Sequence, residues 1–372
     1  MSIKQMRTWA EVSEDALVAN IGIIKNTAQG AAFLGVVKAN AYGHGAAWAA
    51  RILEREGARY LAVAMLSEAL ELREAGITAP ILILGVTPPE KLFVSDLLYY
   101  DLTQTVADLE TARAYSVIAR SYGKTLRCHL KLDTGMGRLG FKSVSDAFDT
   151  VLLPNLEFEG VFTHFAVSDV PDGGEYTRTQ FERFTAFADN LERMTRFQVQ
   201  FALRHCANTG GTMDYAETHL DMVRPGIMLY GYPRVNDGAE TGLTPVMELK
   251  SRISQVKTLH AGESVSYGRR FTAERETRIA IMPCGYADGL SRSLTNRLTV
   301  RLNGQTVQQI GTICMDMCML DVTDLPYVEA GDIATIFGRE VGFTAEDMAD
   351  TRGSISYEVL CNVANRVPRV YR

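Results

Sequence analysis

The sequence is poor in the features that mark several large classes of protein. Its 372 residues contain only six cysteines, too few for the disulfide framework of a small secreted domain. No apolar run approaches the roughly 20 residues that a membrane-spanning helix requires. The first residues also lack the apolar core of a secretory signal. These absences favour a globular, cytoplasmic protein.

The sequence also lacks the charge patterns that several kinds of partner require. The net charge is −6 and the basic residues are scattered, so neither nucleic acid nor an anionic membrane surface is an expected partner. Cys314 and Cys318 are four residues apart, which is not the CxxC spacing of a zinc or redox site, and no HExxH motif occurs. No metal site is therefore predicted.

Short apolar stretches of β character alternate with helical patterns over the first 230 residues or so. Ser13 and Ser67 are expected to cap two of the helices, and Phe181, Phe184 and Phe187 form a stripe at helical spacing that predicts a core-facing surface. Eight such units predict an α/β fold with a (β/α)₈ TIM-type barrel, and a doubly wound open sheet is the alternative. The predicted strands cover residues 33–37, 60–65, 81–85, 102–106, 126–132, 156–162, 201–205 and 222–224.

The pattern changes after residue 231. Residues 231–244 are rich in Gly, Pro, Asn and Asp, which is typical of a linker, and short β stretches with few helices follow. Asn303 and Gly304 form a strong hairpin signal between two of these stretches. We expect a barrel over residues 1–235 and a smaller, mostly β domain over residues 236–372.

Chemically active side chains stand where the predicted barrel strands end, at the face where barrel enzymes build their sites. Lys38 follows the first strand within GVVKANAYGHG (residues 35–45). Burial there would lower its pKa and suit it to imine formation, whereas an ordinary surface lysine is the alternative. Comparable residues at the ends of later strands are Lys131, Arg138, His164, Asn208, Thr209, Arg224, Gly226 and Ile227.

Residues 135–140, GMGRLG, fit the GxGxxG pattern of dinucleotide-binding loops. That pattern normally follows the first strand of its domain, whereas this one follows the fifth. The preceding strand ends in the charged residues Lys131 and Asp133, and Arg138 lies inside the loop. Dinucleotide binding is therefore disfavoured.

Together these strings resemble the alanine racemase family, pyridoxal-phosphate enzymes that have a (β/α)₈ barrel and a C-terminal β domain. The resemblance covers nearly the whole chain, and in the β domain it rests on SVSYG (264–268), GYADG (285–289), ICMD (313–316) and SYE (356–358). It implies a homodimer with shared active sites that interconverts L- and D-alanine and supplies D-alanine for peptidoglycan.

The resemblance implies two bases on opposite faces of the substrate. Lys38 would carry the pyridoxal phosphate and act on the D-enantiomer, and Tyr267 of the partner subunit would act on the other face. His164 matches the histidine that bonds the catalytic tyrosine. Arg224 would face the pyridine nitrogen, and because an arginine cannot accept a proton from that nitrogen, the ring would be a weaker electron sink. Simple return of the proton would then be favoured over transamination.

Other roles follow from the same resemblance. Arg138 would contact the phenolic oxygen of the cofactor and the substrate carboxylate, and Lys131 matches a lysine that is often carbamylated. Asn208 and Thr209 match a motif whose hydroxyl contacts the phosphate, although Asn208 could equally be a plain helix cap. The remaining implied cofactor contacts are Tyr42, Gly226, Ile227 and Tyr357, and the implied substrate contacts are Arg138, Met315, Asp316 and Tyr357.

The chain departs from the family pattern at several positions. Thr312 and Met317 stand where the family often has arginine and glutamine. Residues 290–292, LSR, replace the commoner Tyr-Pro-Arg, and such changes resemble serine-active relatives linked to glycopeptide resistance. Tyr357 favours alanine over serine as the substrate. A serine or serine/alanine racemase is the alternative function. Three other functions stay open: a decarboxylase or aldolase, which Arg224 disfavours, a single-barrel pyridoxal-phosphate carrier, and a binding scaffold without cofactor.

Overall fold

The computed structural model describes residues 5–233, 241–340 and 342–372, and it confirms a (β/α)₈ barrel followed by a mostly β domain. After a first strand, β1 (Thr8–Val12), the chain forms eight parallel strands with helices between them. The barrel strands are β2 (Ala32–Val36), β3 (Tyr60–Val63), β4 (Ile81–Ile83), β5 (Thr103–Val106), β6 (Leu126–Lys131), β7 (Leu156–Phe162), β8 (Leu203–His205) and β9 (Met222–Val223).

The barrel strands are ordered β8-β7-β6-β5-β4-β3-β2-β9, and every pairing is parallel. Backbone hydrogen bonds from Asp221 to Arg204 (3.2 Å) and from Arg224 to Ala207 (2.9 Å) bring the two ends of this sheet together. The accompanying helices are α1 (Glu14–Thr27), α2 (Lys38–Tyr42), α3 (Ala46–Arg55), α4 (Leu66–Glu74), α5 (Lys91–Tyr99), α6 (Leu109–Ser121), α7 (Val144–Val151), α8 (Gly174–Met194) and α9 (Thr209–Asp214).

The second domain is built on a nine-stranded sheet in the order β11-β14-β17-β16-β15-β18-β10-β1-β19. A two-stranded ribbon, β12-β13, stands apart from it. The elements are β10 (Met247–Arg252), β11 (Gln255–Leu259), β12 (Ser264–Val265), β13 (Phe271–Thr272), β14 (Thr277–Met282), β15 (Thr299–Leu302), β16 (Gln305–Ile310), β17 (Cys318–Asp321), β18 (Ile333–Phe337), α10 (Ala345–Arg352), α11 (Ser356–Cys361) and β19 (Arg369–Tyr371).

The first strand corrects the expected division of the chain. The expected boundary places residues 8–12 in the barrel. In the structure, β1 instead pairs antiparallel with β10 and parallel with β19 in the second sheet. A strand needs partners for its backbone groups, and here they come from residues more than 230 positions away. The expected boundary at residues 235 and 236 lies outside the described residues.

Local expectations were met in most places. Ser13 caps α1 by accepting from the Ala16 N–H at 3.2 Å, Phe184 is fully buried, and Asn303 and Gly304 (φ 50° and 75°) form the β15-β16 hairpin turn. Ser67 was wrong as a cap, because α4 begins at the preceding residue. Within the described residues, no helix combines the length and apolarity needed to span a bilayer.

Asn20 of α1 ties the barrel to the start of the second domain. Its amide is fully buried, donates to Leu229 O (3.1 Å) and Thr244 O (2.9 Å), and accepts from the Thr244 N–H (2.9 Å). These bonds hold the chain on both sides of the segment where the composition changes. They satisfy backbone groups that would otherwise be buried without partners.

We expect Asn20→Ala to lower the free energy of unfolding by about 1–3 kcal/mol, because it leaves buried backbone groups unpaired. Urea unfolding followed by circular dichroism measures the change. Asn26→Ala on the exposed side of the same helix is the matched control and should stay within about 0.5 kcal/mol of the parent. Equal stability of the two variants would contradict a tying role for Asn20.

Candidate active site

The C-terminal ends of the barrel strands open into a cavity of about 560 Å³. Most of the side chains that the sequence predicts for the site line it together, although they come from widely separated parts of the chain. Tyr357 reaches the same cavity from α11 of the second domain. The predicted residues in the lining are Lys38, Tyr42, Lys131, Arg138, His164, Asn208, Thr209, Arg224, Gly226 and Tyr357.

Lys38 stands directly after β2 at the mouth of the barrel. Burial is the main cause that lowers the pKa of its ammonium group, the cation of Arg138 adds to the effect, and Glu68 opposes it. The Glu68 carboxylate accepts from the N–H of Ala39 (2.6 Å) and from that of Ala64 (2.7 Å). Glu68 therefore fastens the residue after Lys38 to the end of the neighbouring strand.

The backbone after Lys38 takes a left-handed turn. Ala39, Asn40, Ala41 and Tyr42 have φ values of 52°, 54°, 53° and 52°. Such a conformation costs a non-glycine residue roughly 1–2 kcal/mol. It is held by backbone bonds and by the Asn40 side chain, which accepts from the Ala46 N–H at 2.8 Å. These bonds hold the left-handed turn and so fix the direction in which the chain leaves Lys38.

Arg224 lies at the base of the cavity and is almost fully buried. Its guanidinium donates to the carbonyls of Thr163 (2.8 Å) and Cys206 (3.0 Å) and to two histidine nitrogens. These are Nδ1 of His164 (3.2 Å) and Nδ1 of His205 (3.2 Å). Burial lowers the pKa of Arg224 to about 10, so it is still a cation at neutral pH.

These bonds fix the protonation of both histidines. A guanidinium can only donate, so each Nδ1 accepts and each ring proton lies on Nε2. Burial and the Arg224 charge lower the pKa of His164 and His205 well below the ordinary value, which keeps both rings neutral. His164 therefore presents an N–H donor at its Nε2.

His205 continues a buried polar chain through the barrel. Its Nε2 lies 2.9 Å from Nδ1 of His129, and Nε2 of His129 lies 3.7 Å from Glu159, which also accepts from the Tyr60 hydroxyl. With Arg224 as the fixed donor, His205 donates to His129, and Nε2 of His129 carries its proton toward Glu159 without reaching hydrogen-bond distance. Local sequence patterns do not reveal this series of contacts, because it depends on which strands lie side by side.

Lys131 has a buried amino group without a hydrogen-bond acceptor among the described residues. Its ammonium group bonds to none of the described residues and lies 4.7 Å from the centre of the Phe162 ring. Burial, Arg224 and Arg138 lower its pKa well below the ordinary value. Phe162 also lies under Arg224 (5.5 Å) and stacks on His205 (4.9 Å), a role that the sequence did not suggest.

The opposite side of the cavity is formed by the segments that follow β8 and β9. Asn208 caps α9 by accepting from the Gly211 N–H (3.0 Å), which confirms the capping interpretation. The Gly226 N–H donates to the Thr209 hydroxyl (3.3 Å). A Cβ on Gly226 would come within 2.6 Å of the Tyr42 hydroxyl, so a larger residue there would displace the Tyr42 side chain. Ile227 is fully buried behind Gly226 and does not line the cavity.

Three of the expected residues lie away from this cavity. Tyr267 is 72% exposed on the second domain, just after the short strand β12. Met315 is 53% exposed, and Asp316 is bound to Arg366 at 2.7 Å. Within one chain, these three residues are therefore not part of the cavity lining.

The fold and the site define a two-domain barrel enzyme whose cationic cavity is built to hold an anion beside a lysine of lowered pKa. Comparison with known proteins is more specific. Residues 12–234 match the family model "Alanine racemase, N-terminal domain", and residues 246–371 match "Alanine racemase, C-terminal domain". The chain belongs to the alanine racemase family.

Relatives of high similarity extend over the full chain. Alanine racemase 1 of Clostridium acetobutylicum is 44% identical, with 98% of this chain and 95% of the relative aligned. The alanine racemase of Carboxydothermus hydrogenoformans is 45% identical over 98% and 99% of the two chains. The solved alanine racemase of Clostridium difficile superposes with a TM-score of 0.92 at 39% identity, covering 99% of this chain and 96% of that one.

The buried histidines predict a loss of stability in mild acid. Burial lowers the pKa of His44 to about 4 and also lowers the pKa of His129, His164 and His205. Below the unfolded value of about 6.5 the unfolded chain therefore binds more protons, and unfolding becomes easier by about 1.4 kcal/mol per pH unit for each such histidine. For His44 the loss continues until the pH approaches 4.

Urea unfolding of the holoprotein between pH 7.5 and 5.0 measures this effect. We expect the midpoint to fall with pH, and to fall less steeply in His44→Phe, whose ring can keep the stacking on Tyr230. A midpoint that is constant or rises in acid would contradict the assignment.

Proposed function

We propose that the chain interconverts L- and D-alanine with pyridoxal phosphate, as a cytoplasmic homodimer with shared active sites that supplies D-alanine for peptidoglycan. The observation that carries this proposal is a cavity lined by Lys38, whose pKa is lowered, and by Arg224. Among the described residues, Arg224 bonds only to carbonyls and neutral histidines. We also propose a functional division near residue 235 between the cofactor-binding barrel and the domain that serves the partner's site.

The residues present fit the cofactor. The cavity volume of about 560 Å³ suits a small ligand with its substrate, and the lining has four cationic side chains but one acid, Asp169. Lys38 would hold the cofactor covalently, and the segment of Thr209, Gly226 and Ile227 would hold its phosphate. The other contacts would be Tyr42, Arg138, His164, Asn208, Arg224 and Tyr357. When bound, pyridoxal phosphate withdraws electrons from the α-carbon of the amino acid and so acidifies its hydrogen.

Arg224 would face the pyridine nitrogen as a donor. Because its guanidinium has no proton-accepting atom and stays charged when buried, it would keep that nitrogen unprotonated. The α-carbon would then keep more negative charge and recover a proton readily. This supports racemisation over a decarboxylase or aldolase function, which gains from a protonated ring.

Two bases on opposite faces would move the α-hydrogen. Lys38 at the cavity wall would exchange a proton with the D-enantiomer, and Tyr267 of the partner subunit would act on the L-enantiomer. His164, whose Nδ1 accepts from Arg224, would donate from Nε2 to the oxygen of that tyrosine and stabilise its ionised form. Arg138 and Tyr357, with Met315 and Asp316 of the partner subunit, would bind the substrate.

Lys131 would be carbamylated. Its amino group is buried, feels the charges of Arg224 and Arg138, and has no hydrogen-bond acceptor among the described residues. The lowered pKa favours the neutral amine, which would attack carbon dioxide and release one proton to give the carbamate anion. The resulting anion would pair with Arg138 and offset the positive charge of Arg224.

The remaining alternatives gain less support. Each relative reported above bears the name alanine racemase, so the comparisons do not favour serine. A single-barrel carrier would not need the second domain, whose match covers residues 246–371. A visible absorption band that disappears on borohydride reduction, with the cofactor then linked covalently to Lys38, would exclude a scaffold without cofactor.

The substrate assignment predicts a preference for L-alanine over L-serine of about 10- to 100-fold in kcat/KM, since a small site discriminates modestly against one added hydroxyl. Circular dichroism of the amino acid, with the purified dimer and both substrates side by side, measures the two rates. A higher kcat/KM for serine would overturn the assignment.

The shared site predicts complementation between two inactive variants. Lys38→Ala and Tyr267→Phe should each lose racemisation alone, the second while keeping the bound cofactor spectrum. After random pairing, half of the dimers are mixed and each has one intact site, so about a quarter of the parental activity should return. Activity that stays at the level of the separate variants would contradict a site built from two subunits.

A further inference from the structure

We propose that Thr312, together with Ser266, is the positioning residue that sets the location of Tyr267. This inference rests on the proposed role of Tyr267 as a base and goes beyond it by naming what fixes that base. The Ser266 hydroxyl bonds to the backbone of Thr312, and the Thr312 hydroxyl bonds to the backbone of Tyr267.

Tyr267 is not held in place by packing of its own ring within the subunit. The residue is 72% exposed and follows the two-residue strand β12 of a small ribbon. A proton-transfer group must be placed to within a fraction of an ångström of its partner, and a displacement of about 1 Å can cost 100-fold in rate. Its backbone therefore has to provide the order that its side chain lacks.

Two reciprocal hydrogen bonds supply that order. The Thr312 hydroxyl donates to the backbone carbonyl of Tyr267 at 2.6 Å. The Ser266 hydroxyl donates to the backbone carbonyl of Thr312 at 2.6 Å. Thr312 is only 1% exposed, so its bond is shielded from water. Each residue thus bonds through its side chain to the backbone of the other segment.

The backbone at Ser266 shows that this arrangement is enforced. Its φ of 66° and ψ of −176° lie in a region that only glycine normally occupies. Such a conformation persists when surrounding contacts determine it. The Ser266 hydroxyl lies 3.2 Å from Cys314 Sγ as well, so the serine is held against residues 312–314 rather than being free to relax.

The segment that bears Thr312 is itself rigidly fixed. The buried amide of Gln309 donates to Gly311 O at 2.6 Å, and the Gly311 N–H donates to the Asn296 side chain at 2.7 Å. Asn296 also donates to Arg270 O at 3.3 Å, on the far side of the Tyr267 turn. Thr312 therefore connects a well-supported strand end to an exposed turn.

The residue type suits this task. Where the family often has arginine, this chain has a short side chain whose hydroxyl reaches one carbonyl and whose methyl group can be buried. Valine has the same shape without the donor, and serine keeps the donor without the methyl group. The two substitutions therefore separate the hydrogen bond from the packing.

The test is hydrogen exchange at the α-carbon in deuterated water, followed by NMR for L-alanine and D-alanine with the holoenzyme dimer. In Thr312→Val we expect the exchange of L-alanine, assigned to Tyr267, to fall about 10- to 100-fold, because the base is displaced. The exchange of D-alanine, assigned to Lys38, should stay within about twofold. Their ratio is independent of how much of a preparation is folded.

Three further proteins make the result decisive. Thr312→Ser should restore the ratio to within about threefold of the parent, because it restores the donor. Thr277→Val removes a similar bond from a buried threonine of the same domain, to Arg275 O at 2.9 Å, and should leave the ratio unchanged. Tyr267→Phe should lose the exchange of L-alanine alone.

The outcomes separate the inference from the function beneath it. Parallel loss of both exchange rates in Thr312→Val, an unchanged ratio, or no rescue by serine would overturn the positioning role. If the parental enzyme exchanges neither enantiomer, the proposed function fails instead. If Tyr267→Phe keeps the exchange of L-alanine, the base assignment fails whatever Thr312 does.

Discussion

The arrangement of the site depends on one buried cation. Arg224 lines the cavity at the barrel mouth, and it bonds to two carbonyls and two histidine nitrogens. Among the described residues, no carboxylate bonds to its guanidinium. A charge without a counter-ion is costly to bury, so every neighbour has to offer an acceptor. Burial and, after it, the Arg224 charge keep His164 and His205 neutral and depress the pKa of Lys131. The protonation pattern of the cavity thus follows from burial of these groups beside a guanidinium.

The same constraint explains why the cavity attracts anions. Four cationic side chains line it with one acid, and their mutual repulsion is offset when a phosphate or a carboxylate enters. The polar chain through His205 and His129 ends 3.7 Å from Glu159, whose carboxylate is not part of the cavity lining and so does not compete with a bound anion. The repulsion among these cationic side chains destabilises the folded protein when the cavity is empty, and a bound anion offsets that repulsion.

The sequence could predict the parts of this site that depend on local order along the chain. Strand-end positions identified Lys38, Arg138, His164 and Arg224 because β-strand periodicity and barrel topology together place such residues at one mouth. It could not predict contacts between distant segments, such as the place of β1 in the second sheet. The wrong cap at Ser67 is a local error, since α4 begins one residue earlier and places Ser67 inside its first turn.

Phe162 shows the limit at the level of a single residue. As an aromatic residue in a strand it looks like ordinary core, yet its ring lies beneath both Lys131 and Arg224. The register of β6 beside β7 pairs Lys131 with Phe162, and Arg224 comes from the segment after β9. Local patterns indicate which residues lie near the end of a strand, but the neighbours of those residues depend on a pairing that local patterns do not encode.

Strained backbone lies beside both residues proposed as bases. The four residues after Lys38 adopt left-handed conformations, and Ser266, just before Tyr267, has a φ of 66°. In each place, hydrogen bonds from another segment hold the backbone, through Glu68 in one case and Thr312 in the other. Inversion at a carbon needs two proton-transfer groups at fixed positions on opposite faces, and a backbone with one accessible conformation provides that fixity. The barrel and the second domain therefore solve the same positioning problem separately, each at its own cost in stability.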